Sequence, residues 1–514
     1  MRYLLFFFIP YFLCSSPIKI ATYNVENLFD ASFQGTEYEE YIPGKHNWNS
    51  RMVEIKLNHV AEVICDVDAD ILGLQEVENK AILKKLMQRL KKVGCPYKYS
   101  AITSKKGAAI QVALLSRYKV LKSSDIVVSG APRVRNILEA DVAVEGESLT
   151  VFVNHWKSKA YKGYESKRIA YAKALQARIA RLAPSKEYVI IGDFNSDHNA
   201  YLTLEDKNND TQGQTAFSDV LHTKVEEYEI VHAQRGKHYT LWKELAVEDR
   251  WSHKFYGKKS SLDQIVLPQK MFDGKGIDYV NNSFNVFKAD YLFTKRGYIN
   301  RWQYKKGKHR AKGYSDHLPV FAYFDTKPYE KEVYTKKKKI DTKSIEYLYS
   351  LEKLDNHIKL NNVVVVFKRG NSAIIKQEKN GRGIFMYGCA RDLKEGEKYD
   401  LLVESIKSYY GLKEITSAYK LRSKGDVKLE QYYLDSIALD EHKLRQNEVV
   451  RDVVGIYKHK AIYVNNKKIP LHFRTKKHTP KDNTKIKLHY AYLGYYKGLQ
   501  LVIHNKKDFE IMEK

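Results

Sequence analysis

The sequence predicts an α/β protein followed by a smaller, mostly β region. From Ile18 to about Phe324, short β-branched runs alternate with amphipathic stretches whose apolar residues recur at helical spacing. Beyond residue 345 the pattern becomes mostly strand-like. The chain of 514 residues is long enough for several domains of about 100–200 residues, each with a core of its own.

The first part contains seven predicted strands and three predicted helices. The strands are Ile18–Tyr23, Ile71–Gln75, Val112–Leu115, Leu149–Asn154, Tyr188–Ile191, Gln264–Leu267 and Leu318–Phe324. The helices are Arg51–Cys65, Lys80–Lys92 and Tyr164–Leu182, with Lys or Arg on the face opposite the apolar residues. A core of this kind usually carries its functional residues on loops at the strand ends.

The second part shows short strand runs and a weak internal repeat. The strand runs are Val363–Phe367, Ala373–Lys376, Gly383–Tyr387 and Leu401–Ile406. Ser408–Ile415 recurs loosely as Gly494–Leu501, and Phe367–Arg369 is echoed by Tyr457–His459. A spacing of about 85–90 residues corresponds to one small barrel, so we expect two tandem β-barrel modules.

Charge is unevenly distributed along the chain. The 88 Lys and Arg against 61 Asp and Glu give a net charge of +27. Residues 331–514 contain 39 Lys and Arg against 23 Asp and Glu, a net charge of +16, and the longer remainder contains 49 against 38, a net charge of +11. Basic strands with interleaved tyrosines suit a single-stranded or flexible polyanion. A Lys-rich codon usage and a solubilising spacer remain alternatives.

The N-terminus has the pattern of a secretory signal peptide. Met1 and Arg2 precede the apolar run Leu4–Leu13 and the small residues Cys14–Ser16. This run is shorter than the roughly 18 apolar residues of a membrane span, and no later segment reaches that length. We therefore expect export to the periplasm or the medium, without a stable membrane anchor. Of the remaining cysteines, Cys65 and Cys95 are a candidate disulfide pair.

These features divide the chain into five predicted segments. They are a signal peptide over 1–16, an α/β domain over 17–326, a basic linker over 327–345, and β modules over 346–430 and 445–514.

Six stretches place polar residues where apolar runs end. They are Ala21–Asn27, Leu74–Val77, Val153–Ser158, Ile191–Asn195, Ser261–Gln264 and Gly313–Pro319. One such stretch is more often a turn or a helix cap than a catalytic site, but their combination is informative. The hard oxygen ligands among them suit Mg²⁺ or Mn²⁺, and they are Asn24, Glu76, Asp193, Asn195 and Asp316.

Proton-transfer groups accompany these oxygen ligands. His155 and His317 can exchange protons near neutral pH, and Asp263 can hold one imidazole in a single tautomer. Oxygen ligands and two imidazoles are what metal-assisted attack of water on a phosphodiester needs.

The order of these motifs resembles the endonuclease/exonuclease/phosphatase superfamily. The motifs are Tyr-Asn-Val-Glu-Asn-Leu-Phe, Leu-Gln-Glu-Val, Asn-His-Trp-Lys-Ser, Gly-Asp-Phe-Asn and Ser-Asp-His-Leu-Pro. The resemblance covers roughly residues 18–325 and is greatest to secreted bacterial deoxyribonucleases. It implies a four-layer α/β sandwich, with two packed sheets flanked by helices. It also implies Mg²⁺-dependent cleavage of DNA, with Mn²⁺, Ca²⁺ stimulation and RNA as open alternatives.

The resemblance assigns a metal and water site. Glu76 would be the principal metal ligand, Asn24 would help to hold the metal or phosphate, and Asp316 would complete the metal shell. Asp193 and Asn195 would position the water and the scissile phosphate.

It also assigns the basic side chains. His317 would take the water proton or clamp the phosphate, with Asp263 orienting it, and His155 would be the general acid. Arg135 resembles a phosphate-contacting arginine. Gln111 departs from the pattern, because many relatives have Asp there, and this puts the orientation of His155 in doubt.

Part of the basic region resembles the OB-fold-type modules of some secreted nucleases. The matching stretches are Gly383–Gly388, Asp392–Gly396 and Tyr410–Leu412. They imply nucleic-acid contact through a strand face.

Two other functions remain open. One is a phosphodiesterase of the same fold acting on sphingomyelin or an inositol phosphate, and the other is a binding protein without catalysis. We expect no obligate protein partner. Six histidines lack a motif and are predicted to be surface or core residues: His46, His59, His198, His232, His238 and His253.

Overall fold

A computed structural model shows how the chain folds. The structure describes residues 17–130, 134–160, 162–255, 257–326, 340–354, 356–436, 439, 444–465, 467–474 and 479–512. The chain divides into two compact units, Met1–Lys337 and Lys338–Lys514. The predicted signal peptide and residues 327–339 of the predicted linker lie outside the described residues. Within the described part of the chain, no helix is long and apolar enough to cross a membrane.

The strands of the first unit form two large sheets and two small hairpins. They are β1 (Ile18–Leu28), β2 (Ile71–Val77), β3 (Tyr99–Ile102), β4 (Gln111–Ser116), β5 (Lys119–Ile126), β6 (Ile137–Val144), β7 (Glu147–His155), β8 (Tyr188–Asp193), β9 (Tyr239–Thr240), β10 (His253–Phe255), β11 (Lys258–Ser260), β12 (Asp263–Leu267), β13 (Asp278–Tyr279), β14 (Asn285–Val286), β15 (Tyr304–Lys305), β16 (Lys308–His309) and β17 (Val320–Asp325).

The first sheet has the order β13-β17-β1-β2-β4-β3, with β14 also paired to β17. The second has the order β5-β6-β7-β8-β12-β9. In these sheets β1 is parallel to β2 and β7 to β8, and the other neighbours are antiparallel.

Three long helices and two short ones accompany these sheets. They are α1 (Ser50–Val67), α2 (Lys80–Lys92), α3 (Glu165–Ile179), α4 (Ala200–Thr203) and α5 (Glu227–Ile230). Asn49 and Asn79 start α1 and α2, because their side-chain oxygens accept hydrogen bonds from otherwise unpaired first-turn N–H groups. Single helical turns lie at Glu39–Tyr41, Asp206–Asn208, Ala216–Val220, Leu241–Glu244, Val247–Asp249, Gln269–Phe272 and Asp290–Leu292.

The two sheets face each other, with helices outside. Along β7 and β8 the side chains alternate: Val153 and Ile191 share a core with the first sheet, α1 and α2, whereas Phe152 and Ile190 pack with α3. A Cβ atom on Gly73 of β2 would lie 2.8 Å from Cδ1 of Ile191, so glycine permits the close approach of the sheets there. The predicted four-layer sandwich is confirmed.

The predicted elements of the first unit are present, with somewhat different ends. β1 extends beyond the predicted run to Leu28, and α3 ends earlier than predicted, at Ile179. The candidate pair Cys65–Cys95 forms a disulfide with Cα atoms 5.7 Å apart, joining the last turn of α1 to the chain after α2.

The second unit is almost entirely strand. Its elements are β18 (Asp341–Lys343), α6 (Ile345–Tyr349), β19 (Ile358–Arg369), β20 (Ser372–Lys376), β21 (Gly383–Met386), β22 (Glu397–Tyr409), β23 (Leu412–Asp426), β24 (Val449–Val450), β25 (Val453–Lys458), β26 (Ala461–Val464), β27 (Lys467–Phe473), β28 (Thr484–Leu488), β29 (Ala491–Tyr495), β30 (Leu499–Ile503) and β31 (Phe509–Ile511), with helical turns at Glu430–Tyr432 and Lys506–Asp508.

Two barrels of the same topology make up this unit. The first closes in the order β19-β20-β21-β23-β22-β19, with β21 parallel to β23. The second follows β25-β26-β27-β30-β29, with β27 parallel to β30, and closes because β28, directly before β29, pairs with β25. The two predicted repeat segments span equivalent hairpins, β22–β23 and β29–β30. The all-β region is confirmed, whereas the OB-fold assignment and the domain boundaries stay predictions.

Candidate active site

Polar strand ends from both sheets meet around Asp193. In the second sheet, His155 at the end of β7 and Asp263 at the start of β12 are the direct neighbours of Asp193 on either side. Asn24 reaches this group from β1 in the facing sheet, with Nδ2 3.1 Å from Oδ2 of Asp193. Strand pairing and sheet packing therefore bring together four of the predicted site residues.

One oxygen atom is the centre of this cluster. Oδ2 of Asp193 accepts hydrogen bonds from Nδ2 of Asn24 at 3.1 Å and Nδ2 of Asn195 at 3.2 Å. Nε2 of His155 lies 3.6 Å from the same oxygen and Nε2 of His317 lies 3.9 Å from it. The other carboxylate oxygen, Oδ1, accepts the backbone N–H of Asn195 at 2.8 Å. All five side chains are buried, so their mutual interactions are weakly screened.

The backbone is specialised at these positions. Gly192 has φ of 135°, and a Cβ atom there would lie 2.0 Å from the carbonyl oxygen of Asn154, so only glycine allows β7 and β8 to pair beside His155. Glu76 and Asn195 are non-glycine residues with φ of 68° and 48°. Such left-handed conformations are uncommon and occur often at functional sites.

A bulge directs Glu76 towards the cluster. The pairing of β2 with both neighbouring strands shifts register around Glu76. Its carboxylate accepts hydrogen bonds from Nδ2 of Asn24 at 3.1 Å and from the backbone N–H of Asn27 at 2.9 Å. Oε1 of Glu76 also lies 3.8 Å from Nε2 of His155.

His317 is held by Asp263. Its Nδ1 lies 2.8 Å from Oδ2 of Asp263, which also accepts a 2.5 Å hydrogen bond from the Ser252 hydroxyl. Burial disfavours the charged imidazole, but Asp263 and Asp193 outweigh it and raise the pKa of His317 well above 6.5. His317 is therefore a cation at neutral pH, with Nε2 facing Asp193.

The pKa of His155 is shifted in the opposite direction. Burial, followed by the positive charges of Arg135 and His317, lowers the pKa of His155 well below 6.5. Its Nδ1 has no hydrogen-bond partner among the described residues. Gln111, the residue that departs from the family pattern, hydrogen-bonds to its own loop. Its Oε1 accepts from Thr103 Oγ1 and from the Lys105 backbone N–H.

Arg135 lies at the same site. Its Nη1 is 3.4 Å from the carbonyl oxygens of both His155 and Trp156. Its guanidinium group hydrogen-bonds to Tyr38 and interacts electrostatically with Glu76. The structure thus places every site residue predicted from the sequence in or beside one cluster.

A comparison with models of protein families shows to which family the chain belongs. The model of the Endonuclease/Exonuclease/phosphatase family matches residues 19–326, which is more than half of the chain and contains the whole cluster. The chain belongs to this family. Enzymes of the endonuclease/exonuclease/phosphatase family are generally phosphodiester hydrolases, including DNA-processing enzymes, and they depend on divalent metal ions. No curated protein matches the sequence.

Solved structures of related fold are distant. A humanised TDP2 from D. rerio is 17% identical, with a TM-score of 0.39 over 61% of this chain and 100% of that one. An endonuclease/exonuclease/phosphatase family protein from Leptotrichia buccalis is 15% identical, with a TM-score of 0.37 over 60% and 99%. An AP endonuclease from Archaeoglobus fulgidus is 16% identical, with a TM-score of 0.37 over 60% and 99%. These similarities are too weak to assign a substrate.

The acidic residues suit the divalent cation on which the family depends. Burial and the charge of Asp316 raise the pKa of Glu76, and burial chiefly raises the pKa of Asp193 to about 7. A cation would stabilise the charged carboxylates that burial disfavours and would offset the repulsion between Glu76 and Asp316, and carboxylate oxygens are the ligands that Mg²⁺ and Mn²⁺ prefer. Asp316 lies beside His317, because ligand atoms of these two residues and of His253 are within 4.8 Å of one another, and its Oδ2 is 3.3 Å from Nη2 of Arg301.

Asn24 presents its nitrogen, not its oxygen, to the carboxylates. Its Oδ1 accepts the backbone N–H of Glu26 at 3.0 Å, which leaves Nδ2 for Glu76 and Asp193. In this arrangement Asn24 orients the acidic side chains, and its role as a metal ligand stays a prediction.

Two compact acid–histidine groups among the described residues have the spacing of metal ligands, but both contain His317, whose imidazole could bind a metal only after losing its proton. One is Asp193, Asp263 and His317, and the other is His253, Asp316 and His317, each with ligand atoms within 4.8 Å of one another. Both include residues outside the predicted ligand set of Asn24, Glu76 and Asp316.

His253 belongs to the site, although the sequence predicts a surface or core role. The β10–β11 hairpin forms a β-bridge from His253 to His317, and the two imidazole centroids are 4.8 Å apart. Burial, followed by the charge of His317, lowers the pKa of His253 to about 4. No motif surrounds His253, so only the position of the hairpin reveals it.

A second group that the sequence does not predict joins two loops of the site. Oδ1 of Asp197 accepts the backbone N–H of Ser261 at 3.0 Å, and Nδ1 of His198 lies 2.8 Å from the Ser261 hydroxyl. Nζ of Lys159 lies 3.0 Å from Oδ2 of Asp197. These contacts fix the loop after Asn195 against the segment that leads to Asp263.

Proposed function

We propose that this protein is an exported, Mg²⁺-dependent endonuclease that hydrolyses DNA with low sequence specificity. The observation that carries the proposal is the Asp193 cluster, in which two imidazoles face one carboxylate oxygen while their surroundings shift their pKa values in opposite directions. A phosphodiester contains an anionic phosphate and a leaving oxygen, and this cluster offers a fixed cation, a proton acceptor and a second imidazole.

The roles of the side chains follow from their states. Glu76 and Asp316 would hold the metal ion, which supplies charge to polarise the phosphate. The cationic His317, oriented by Asp263, binds a phosphate oxygen through Nε2–H. Asp193 and Asn195 hold the attacking water, and Asp193 takes its proton. We therefore favour phosphate binding over proton acceptance for His317.

His155 completes the reaction at the leaving oxygen. It is neutral in the free protein, and an incoming phosphate favours its protonated form because opposite charges raise the pKa of an imidazole. The ring takes this proton from solvent and then donates it to the leaving oxygen. Arg135, next to the His155 carbonyl, contacts the phosphate.

Two features support export. The first is the signal-peptide pattern of residues 1–16. The second is the Cys65–Cys95 disulfide, because such bonds persist mainly in oxidising compartments.

The second unit would assist DNA binding. Residues 331–514 carry a net +16, and phosphate contacts supply most of the affinity of nonspecific nucleases. RNA is a candidate additional substrate and is included in the substrate panel described below.

One observation favours a lipid or inositol-phosphate substrate as the second candidate. The β10–β11 hairpin beside His317 carries Phe255, which is 55% exposed, together with Lys254, Lys258 and Lys259. An exposed aromatic between lysines suits an anionic membrane surface as well as a phosphate backbone.

A substrate panel separates these functions. Residues 17–514 would be incubated with supercoiled plasmid, RNA, sphingomyelin vesicles and inositol phosphates, each with Mg²⁺, Mn²⁺ or EDTA. We expect nicking and linearisation of the plasmid with Mg²⁺, none with EDTA, and a steep loss at 0.5 M NaCl. Hydrolysis of sphingomyelin or inositol phosphates with intact plasmid would overturn the proposal in favour of the second candidate.

A further inference from the structure

Three exposed tyrosines form a row on the second unit, and a fourth, Tyr387, shares the side chain of Lys407 with that row. Tyr387, Tyr409, Tyr410 and Tyr496 are 58%, 52%, 60% and 50% exposed. The ring centroids of Tyr409 and Tyr410 are 4.8 Å apart, and those of Tyr410 and Tyr496 are 5.2 Å apart. Adjacent exposed rings form a surface patch of the kind that marks a binding site. We call these four residues the tyrosine platform.

Both barrels build the platform at equivalent hairpins. Tyr409 and Tyr410 lie at the tip of the β22–β23 hairpin, and Tyr496 lies at the tip of β29–β30. The two tips are in contact: Gly411 has φ of 91°, and a Cβ atom there would lie 2.5 Å from the ring of Tyr495. Glycine at position 411 therefore allows the first hairpin to rest on the second.

The connection between the barrels fixes this arrangement. Oε1 of Gln446 accepts the backbone N–H of Lys413 at 2.8 Å, and its Nε2 donates to the carbonyl of Gly411 at 3.1 Å. The rings of the two tips are thus presented in a fixed order, which lowers the entropic cost of binding a ligand across them.

The charge beside the rings is positive. Nζ of Lys407 lies 5.4 Å from the ring centroid of Tyr387 and 5.6 Å from that of Tyr409, and it is 3.9 Å from Glu414. Lys497 directly follows Tyr496, in a region of net charge +16. Flat rings interleaved with cations complement a ligand that has flat groups along an anionic backbone.

We propose that the tyrosine platform binds unpaired bases of single-stranded nucleic acid by stacking. Bases within a duplex already stack on one another, so only unpaired bases can cover the rings. The choice of nucleic acid over glycan, which also stacks on aromatic rings, rests on the proposed function and on the positive charge. The platform would direct the enzyme to single-stranded ends, gaps or frayed segments.

Binding by residues 17–514 in EDTA tests this without cleavage. Fluorescence anisotropy would compare a labelled thymidine strand of ~20 nucleotides, an abasic strand of the same length, and a blunt duplex. The variants are Tyr410→Ala, the triple variant Tyr409→Ala/Tyr410→Ala/Tyr496→Ala, and Tyr410→Phe. Tyr347→Ala is the matched control, because Tyr347 is an exposed tyrosine of the same unit outside the platform.

We expect about tenfold weaker binding of the thymidine strand for Tyr410→Ala, a larger loss for the triple variant, and retention in Tyr410→Phe and Tyr347→Ala. The abasic strand and the duplex should bind all variants alike.

Equal binding of the thymidine strand by wild type and triple variant, with plasmid still cleaved, would overturn the platform alone. Absence of both DNA binding and cleavage would overturn the proposed function as well. Platform-dependent binding of chitohexaose instead of the strand would identify a glycan site and overturn the proposal.

Discussion

Nδ1 of His317 lies 2.8 Å from Oδ2 of Asp263, and this hydrogen bond determines which imidazole nitrogen faces Asp193. The Ser252 hydroxyl donates to the same Asp263 oxygen, and the Trp242 indole N–H donates to the Asp263 backbone carbonyl at 2.8 Å. Asp263 is thereby fixed from three directions. The orientation and charge of His317 are built into the fold before substrate arrives.

If Asp263 acts through His317, their substitutions should not be additive. We expect Asp263→Asn and His317→Ala each to reduce plasmid cleavage by at least about a hundredfold. The double variant should be little worse than His317→Ala, because residues that act as one unit lose their effect together. Initial rates of the three variants measure this coupling. Additive losses would show that Asp263 acts independently of His317.

The two imidazoles of the Asp193 cluster should differ in protonation. The pKa of His317 is raised above 6.5 and that of His155 is lowered below it, so at pH 7 the first is charged and the second neutral. NMR of ¹⁵N-histidine-labelled protein in EDTA reports both states, with His155→Gln and His317→Gln for assignment. A neutral His317 at pH 7 would contradict the phosphate-binding role.

The Cys65–Cys95 disulfide should contribute stability and not catalysis. It closes a sequence separation of 30 residues between α1 and the chain after α2, outside the Asp193 cluster. Cys65→Ser/Cys95→Ser should lower the free energy of unfolding by about 3 kcal/mol, because the cross-link restricts the unfolded chain. Urea unfolding measures the loss, and the initial cleavage rate at low temperature should stay within about twofold of wild type. A large loss of activity in the folded variant would contradict this separation.

His238 should make the first unit less stable in mild acid. It is fully buried between the Tyr188 hydroxyl, 3.0 Å from Nε2, and the Leu221 carbonyl, 2.7 Å from Nδ1. Burial lowers its pKa to about 4, so between pH 6.5 and 4 the unfolded chain binds a proton that the folded one does not. Stability from this residue is complete above pH 6.5 and decreases by up to about 1.4 kcal/mol per pH unit below it.

The matched variant for this test is His238→Gln. Urea unfolding at pH 7 and pH 5 should show a loss in wild type that exceeds the loss in the variant by about 2 kcal/mol. Equal pH dependence in the two proteins would exclude His238 as the source.

The sequence predicts most of the site because its residues end strands. Three of these residues lie at the ends of apolar strands of one sheet: His155, Asp193 and Asp263. The pairing of the strands is enough to make them neighbours. The sequence also predicts the repeat in the second unit, because the hairpins around Tyr410 and Tyr496 have similar sequences.

What the sequence does not predict depends on loop positions. His253 reaches His317 only through the β10–β11 hairpin, which lacks a motif. The amide orientation of Asn24 depends on the backbone N–H of Glu26, and the contacts of Gln111 depend on its own loop. Such contacts follow from tertiary geometry, which periodicity and spacing do not encode.

The most direct test of the Asp193 cluster is the initial rate of plasmid nicking with Mg²⁺ for wild type, Asp193→Asn and Asp249→Asn. Asp249 is a matched control, because its carboxylate is 55% exposed and pairs with Lys288. Asp193 is expected to hold the water and take its proton, so Asp193→Asn should lose at least about a hundredfold in rate, and Asp249→Asn should match wild type. Nicking by folded Asp193→Asn at the wild-type rate would contradict the account.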